Sequence, residues 1–98
     1  MRVLLSGMAA LLITYRFVVS PSQQQFEAIQ AALKSTSGGH VRLAEGCYVI
    51  ETDRSPEAVY EQLRRFVHKN DLLLVLRVGR PYFGQHRSDV VQWLNARL

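Results

Sequence analysis

The stretch CYVIETDRSPEAVYEQLRRFVHKNDLLLVLRVG, residues 47–79, decides the fold because strand, helix and strand patterns follow one another in it. Its first six residues are rich in β-branched and aromatic side chains, which favours a strand. Ser55-Pro56 is typical of a helix start, and an apolar stripe at helical spacing follows, made of Val59, Leu63, Phe66 and Val67. The helix should end at residues 68–70, and the apolar run over residues 71–79 predicts a buried strand.

The residues before this stretch repeat the pattern. The run LLITYRFVV, residues 11–19, predicts a central strand. Ser20 is expected to cap a helix with Pro21 at its first position. The buried stripe of this helix would be Phe26, Ile29, Ala32 and Leu33. Residues 41–45 and 47–52 predict a hairpin, and Gly46 supplies the positive φ of its turn.

The resulting element order is β-α-β-β-α-β, followed by a last helix over residues 88–98. Two β-α-β units folded onto one antiparallel sheet, with both helices on the same face, form the α+β ferredoxin-like plait. We predict that residues 1–98 form a single domain of this kind and that the other face of its sheet is open.

Side chains alternate along a strand, and this alternation predicts what each sheet face carries. In the first strand, Leu11, Ile13 and Tyr15 are expected under the helices. In the last strand, the unbroken apolar set Leu72, Leu74, Leu76 and Val78 is assigned to the helix face, which leaves Leu73, Val75 and Arg77 on the open face. The open face is then too apolar for water and too cationic for a core, so it predicts a homodimer interface. The interface candidates are Leu12, Thr14, Val18, Leu73 and Val75.

Length and composition restrict the class of protein. A chain of 98 residues that is 48% hydrophobic suits one globular domain and excludes a large multidomain enzyme. The single cysteine, Cys47, forbids an internal disulfide and favours a reducing, cytoplasmic compartment. The first residues begin like a secretory leader, but Arg16 cuts the apolar run short of a membrane span. We therefore expect no membrane partner, and residues 1–7 are predicted to be a dispensable extension, with the true start near Met8.

Positive charge is concentrated in the second part of the chain. Residues 1–53 carry as many acids as bases, whereas residues 54–98 contain eight bases and four acids and hold the whole net charge of +4. Ten of the twelve bases are arginine, whose planar guanidinium suits phosphate. Residues 79–87 also interleave cations with aromatic side chains, which suits stacking on bases beside phosphates.

These features predict a nucleic-acid-binding surface. Its candidates are Arg64, Arg65, Lys69, Arg77, Arg80, Tyr82, Phe83 and Arg87. In the alternative interpretation, Tyr82 and Phe83 pack in the dimer and the cations are solvated. Acid-base catalysis has little support, because His40, His68 and His86 have no visible acid or nucleophile partner in the sequence.

Three segments of the chain resemble a known family. They are LLITYRF, the stretch over residues 47–79 and VVQWLNARL. Together they resemble the small CRISPR-adaptation proteins called Cas-two and, more closely, the stand-alone relatives of that family, over about residues 10–98. The resemblance depends on the helix start at residues 52–60, on Asn70-Asp71 before a strand and on Trp93-Leu94 near the end.

The resemblance implies a ferredoxin-like homodimer in which an Asp at the end of the first strand holds a divalent cation for phosphodiester cleavage. Tyr15 matches the family's Tyr, but Arg16 stands at the Asp position. A pair of guanidinium groups would repel a metal, so no catalytic or metal residue is assigned and no cofactor is expected. Glu51 and Asp53 are the alternative ligands. In the simpler interpretation, Glu51 neutralises Arg16 across the strands and Asp53 belongs to a turn.

The favoured function is therefore a non-catalytic, Cas-two-like homodimer that binds RNA or DNA or acts as a scaffold. Two alternatives stay open. One is a metal-dependent endoribonuclease or endodeoxyribonuclease of the Cas-two or virulence-associated D toxin type, and the other is a small regulatory module that binds a ligand or peptide. The expected partners are a second copy of the chain, nucleic acid, and a CRISPR integrase or a toxin-antitoxin partner.

Overall fold

The computed structural model describes residues 8–18 and 22–98. The elements within these ranges are β1 (Ala9–Arg16), α1 (Gln23–Ser35), β2 (Gly39–Ala44), β3 (Cys47–Thr52), α2 (Pro56–Leu63), β4 (Leu72–Val78) and α3 (Ser88–Arg97). The predicted extension over residues 1–7 and the predicted cap at Ser20-Pro21 lie outside the described residues. No helix in the described part of the chain is long and apolar enough to span a membrane.

The four strands form one antiparallel sheet in the order β2-β3-β1-β4. The central strand β1 pairs with β3 on one side, where Leu12 lies opposite Val49, and with β4 on the other, where Leu12 lies opposite Leu76. Each β-α-β unit therefore leaves a gap that a strand of the other unit fills. This order confirms the α+β ferredoxin-like plait predicted from the sequence.

Helices α1 and α2 cover one face of the sheet and enclose the core. The fully buried side chains of this core include Leu11 and Ile13 from β1, Ile29 from α1, and Val59 and Leu63 from α2. The prediction that Leu11, Ile13 and Tyr15 of β1 face the helices is confirmed, since all three belong to the core cluster. We call the opposite side of the sheet the second face.

The helix starts agree with the prediction for α2 and differ for α1. The Ser55 hydroxyl accepts a hydrogen bond from the backbone N–H of Ala58 at 3.0 Å, with Pro56 in the first turn. In α1 the cap is Ser22, whose hydroxyl accepts from the N–H of Gln25 at 3.0 Å. The helix therefore begins at Gln23, two residues later than a cap at Ser20 would place it.

The end of α2 also differs from the prediction. The helix ends at Leu63, and a 3-10 turn over Arg64–Phe66 follows. This tighter turn lets Phe66 and Val67 both pack against the core. His68 therefore lies beyond the helix instead of in its last turn. The Asp71 carboxylate accepts from the N–H groups of His68 at 2.7 Å and Val18 at 2.9 Å, and these hydrogen bonds hold the pKa of Asp71 below its usual range.

The hairpin between β2 and β3 turns at Glu45-Gly46, as predicted. Gly46 has φ +72°, and a Cβ at this position would overlap the carbonyl oxygen of Tyr15. The Gly46 carbonyl in turn accepts from the Tyr15 N–H at 2.8 Å. The turn is therefore fixed against the end of β1, and a side chain at residue 46 would separate the two.

Helix α3 packs on the second face, which is therefore not fully open. Val90 of α3 and Val49 of β3 are both buried. The Arg97 guanidinium lies over the Trp93 ring at 4.1 Å from its centroid, and its Nε is 3.7 Å from a Glu51 carboxylate oxygen. The helix covers the β2-β3 half of the second face, whereas Leu72 and Leu74 of β4 stay exposed on the same face.

The prediction of which β4 side chains face the helices is wrong. Leu73 and Val75 pack against the core, whereas Leu72 and Leu74 are 61% and 58% exposed. The register explains the reversal, because Leu73 lies opposite Tyr15 and Val75 opposite Ile13, so both share the helix face with those residues. Arg77, opposite Leu11, belongs to the same set of alternating positions. Leu73 and Val75 are therefore core residues and are withdrawn from the interface candidates.

Candidate functional site

A row of leucines marks the exposed half of the second face. Leu72, Leu74 and Leu76 of β4 are 61%, 58% and 37% exposed, and Leu12 of β1, opposite Leu76, is half-buried. We call these four residues the leucine stripe. Large apolar side chains that lie side by side on an otherwise solvated surface are typical of an interaction site.

Arg16 and Thr14 extend the leucine stripe along β1. Thr14 lies opposite Leu74 and is half-buried, and Arg16 lies opposite Leu72 and is exposed. Two of the predicted interface residues, Leu12 and Thr14, are thus on the second face. Val18, also predicted there, is 64% exposed just beyond the end of β1.

Tyr15 points away from Arg16 into the core. Its hydroxyl accepts a hydrogen bond from Gln30 Nε2 at 2.6 Å, and the Tyr48 hydroxyl donates to Gln30 Oε1 at 2.6 Å. Burial raises the pKa of Tyr15 to about 12, so this phenol stays protonated near neutral pH. Tyr15 therefore serves the core and does not share a site with Arg16.

The alternative carboxylates lie far from Arg16. Glu51 is opposite Ala10, six residues along β1 from Arg16, which is about 20 Å at the rise of a strand. The predicted neutralisation of Arg16 by Glu51 is wrong, because Glu51 pairs with Arg97 instead. Asp53 follows β3 at the same distant end and is exposed. Within residues 8–18 and 22–98, no group of three or more His, Cys, Asp or Glu side chains is placed to hold a metal ion.

The predicted nucleic-acid-binding residues divide into two groups at opposite ends of β4. Arg64, Arg65 and Lys69 precede this strand, whereas residues 77–87 lie at or beyond its far end. The seven residues of β4 separate the groups by about 20 Å. In the first group, Arg64 pairs with Glu61 at 3.3 Å, and the Arg65 guanidinium lies 5.0 Å from the centroid of the Phe66 ring.

The second group lies on the loop between β4 and α3, over residues 79–87. The Arg80 guanidinium is 5.6 Å from the centroid of the Tyr82 ring, and its Nε donates to the Leu98 carbonyl at 2.6 Å. The Tyr82 hydroxyl hydrogen-bonds to the Asn95 side chain. Phe83, between these anchored residues and the start of α3, is 96% exposed.

The far end of this loop is attached to β2. His86 Nε2 is 2.6 Å from the Leu43 carbonyl oxygen, while His86 Nδ1 accepts from the Arg87 N–H at 2.9 Å. The proton must then be on Nε2, which donates to Leu43. The Arg87 side chain pairs with Asp89 at 3.3 Å and donates to the Arg42 carbonyl at 3.4 Å. Both ring nitrogens of His86 are engaged, which leaves it no nitrogen for general base catalysis in this conformation.

A cleft opens between the loop and α3. Its volume is about 300 Å³, and its walls are mainly apolar, formed by Leu43, Phe83, His86, Val90, Val91 and Leu94. Sequence reasoning did not find this cleft, because it depends on how α3 packs over β2. The sequence did show that Leu72, Leu74 and Leu76 share one face of β4, but that face was predicted to pack under the helices.

Cys47 has no visible role at any of these places. It is half-buried at the start of β3, and burial raises the pKa of its thiol. A thiol of this kind is a weak nucleophile near neutral pH.

No protein-family model matches the chain, and comparison with curated proteins finds no relative.

Proposed function

We propose that the protein is a Cas-two-like homodimer that binds nucleic acid, or holds it as a scaffold, without metal-dependent cleavage. The observation that carries the proposal is the leucine stripe with Arg16 at its end. This surface combines apolar area for a second copy with a cation at the position where the resemblance would put the metal-binding Asp.

The leucine stripe favours self-association. Full burial of a leucine side chain stabilises by about 1.5–3 kcal/mol, and β4 leaves Leu72 and Leu74 more than half exposed and Leu76 partly exposed. Two copies related by a two-fold axis would bury both stripes at once, because such an interface uses the same surface on each chain. Three of its four residues also lie on the edge strand β4, and no helix or strand of residues 8–18 and 22–98 covers them on the second face.

Arg16 favours an anion at this interface instead of a metal. Each protomer adds one exposed guanidinium beside Leu72. Like charges brought together repel unless an anion lies between them, and a phosphate matches the planar fork of arginine. The exposed guanidinium repels a cation, and no group of three or more His, Cys, Asp or Glu side chains in residues 8–18 and 22–98 is placed to hold Mg²⁺.

The positive charge of residues 54–98 favours a polyanion as the ligand that supplies this phosphate. Residues 54–98 hold the whole net charge of +4. The ion pairs found within the described ranges engage Arg64, Arg87 and Arg97. Arg65, Lys69 and Arg77 are exposed cations outside those pairs. Their positive charge attracts nucleic acid, and both the association rate and the affinity are expected to fall as the salt concentration rises.

The test combines mass and binding. Light scattering at micromolar concentration is expected to give twice the mass of the chain. Binding of labelled RNA and DNA is expected to weaken with salt, with a log-log slope of about −0.7 to −0.9 per phosphate neutralised. A monomer would remove the dimer from the proposal, and the absence of binding at about 50 mM salt would remove nucleic acid from it.

A further inference from the structure

We propose that the cleft between the β4-α3 loop and α3 holds one unpaired nucleobase stacked on Phe83, so that the protein prefers single-stranded to double-stranded nucleic acid. The inference rests on the proposed function, because it names the part of the nucleic acid that this surface recognises. The cleft would bind a base, whereas the cations of the proposed function bind only phosphate groups.

Phe83 is presented to solvent by a loop that is held in place. The side chain is 96% exposed, which is costly for a large aromatic ring without a ligand. Tyr82 on one side is hydrogen-bonded to Asn95, and His86 on the other is bonded to the Leu43 carbonyl. Because the loop is anchored on both sides of Phe83, its backbone loses little conformational freedom when a ligand stacks on the ring.

The cleft beside Phe83 has the size and chemistry of a site for one flat ring system. Its volume of about 300 Å³ lies at the small end of ligand pockets. Leu43, Val90, Val91 and Leu94 supply apolar walls. The His86 ring is part of the same wall, and both of its nitrogens are already engaged. The cleft therefore favours stacking over hydrogen-bonded readout, so it should accept different bases.

Two arginines lie on the loop that forms one wall of the cleft, where a phosphate backbone would meet them. Arg80 precedes Tyr82 and Phe83, and Arg87 follows His86. The Arg87 guanidinium is paired with the exposed Asp89 carboxylate, so a phosphate would displace this surface ion pair. A strand whose base enters the cleft would pass these guanidinium groups with its phosphates. A paired base inside a duplex is already stacked, and it would have to leave the helix to enter.

The experiment compares a labelled oligothymidine with a hairpin duplex of the same length, by fluorescence anisotropy at low salt. The wild-type protein is expected to bind oligothymidine more tightly than the duplex. Phe83→Ala is expected to weaken oligothymidine binding by about 5- to 150-fold, the usual loss for one base-aromatic stack, and to leave duplex binding nearly unchanged.

Two further variants separate stacking from apolar contact. Phe83→Trp should keep the affinity for oligothymidine and show fluorescence quenching beyond that of the wild-type Trp93 signal. Phe83→Leu keeps apolar bulk but loses the aromatic face, and it should bind as weakly as Phe83→Ala. Full binding by Phe83→Leu would overturn the stacking argument and point to an apolar protein partner for the cleft.

Lys69→Ala is the matched control, because Lys69 is an exposed cation before β4, at the other end of that strand. It should weaken oligothymidine and duplex binding by the same factor. Equal affinity of the wild-type protein for both ligands, or unchanged oligothymidine binding by Phe83→Ala, would overturn the nucleobase site and leave the proposed function standing. Absence of binding to either ligand would overturn the proposed function and the site together.

Discussion

The two edges of the sheet are protected in different ways. At β2, carbonyl groups of Leu43 and Arg42 accept hydrogen bonds from His86 and Arg87, and α3 covers the second face beside it. At β4, no side-chain hydrogen bond reaches the strand within residues 8–18 and 22–98, and three leucines are exposed. An edge strand that is apolar and unprotected invites pairing or packing with another chain. The described part of the chain thus blocks the β2 edge itself, and the β4 edge is where the proposed second copy would bind.

The largest expected effect comes from a substitution on the face of β4 that packs against the core. Val75→Asp places a charge against the core, where Val75 lies opposite Ile13. We expect a loss of about 3 kcal/mol or more in the free energy of unfolding, because a buried carboxylate has no partner there. Urea denaturation followed by circular dichroism measures it. A stable Val75→Asp protein would contradict the register of β4.

The neighbouring position tests the exposed face of the same strand. Leu74→Asp is expected to change the free energy of unfolding of the monomer by no more than about 0.5 kcal/mol, since Leu74 is 58% exposed. The same change should convert the dimer to monomer, because the two carboxylates would be forced into the apolar contact. Light scattering over a range of concentrations measures the shift. If Leu74→Asp stays dimeric with wild-type affinity, the leucine stripe is not the interface.

A smaller effect is expected at the protected edge. His86→Ala removes the hydrogen bond to the Leu43 carbonyl and should lower the free energy of unfolding by about 0.5–1.5 kcal/mol. It should also raise self-association through β2, because that carbonyl becomes free to pair. Gln85→Ala, on the same exposed loop, is the control and should do neither. Unchanged stability and mass in His86→Ala would show that the loop does not protect the edge.

The smallest expected effect concerns cleavage at the unprotected edge. Wild-type protein and Arg16→Ala should both lack cleavage of RNA and DNA that depends on Mg²⁺ or Mn²⁺, because no group of three or more His, Cys, Asp or Glu side chains in residues 8–18 and 22–98 is placed to hold the metal. Purified proteins and substrates of both kinds are compared with and without chelator. Metal-dependent cleavage by the wild-type protein, lost in Arg16→Ala, would replace the scaffold proposal with an endonuclease.

Local chemistry made much of the fold predictable. The Ser55-Pro56 helix start and the turn at Gly46 each depend on residues next to one another in the sequence, so their patterns were sufficient. The phase of β4 was not predictable in this way, because leucine or valine occupies nearly every position of the strand and both faces have an apolar pattern. Only the register with β1 decides which set is buried.

The candidate site was less predictable for a related reason. The amphipathic pattern of residues 88–98 predicted a helix but did not indicate which surface it would cover. Its position over β2 and β3 closes half of the second face, forms the cleft beside Phe83 and pairs Arg97 with Glu51. The contacts of the loop and α3 with β2 and β3, such as Leu43 with Phe83 in the cleft and Glu51 with Arg97, join residues forty or more positions apart, so no local motif indicates them.

The central position of β1 has a consequence for how the chain reaches its native state. Both neighbours of β1 come later in the sequence, and the pairing of Ala10 with Val78 closes a loop of about two thirds of the chain. During synthesis, β1 must wait without either neighbour until β3 and then β4 leave the ribosome. Contacts of such long range slow folding, and the waiting strand exposes Leu11, Leu12 and Ile13 meanwhile. Chains that end before β4 leave one side of this apolar strand unpaired, so incomplete chains should be the form of this protein most prone to aggregate.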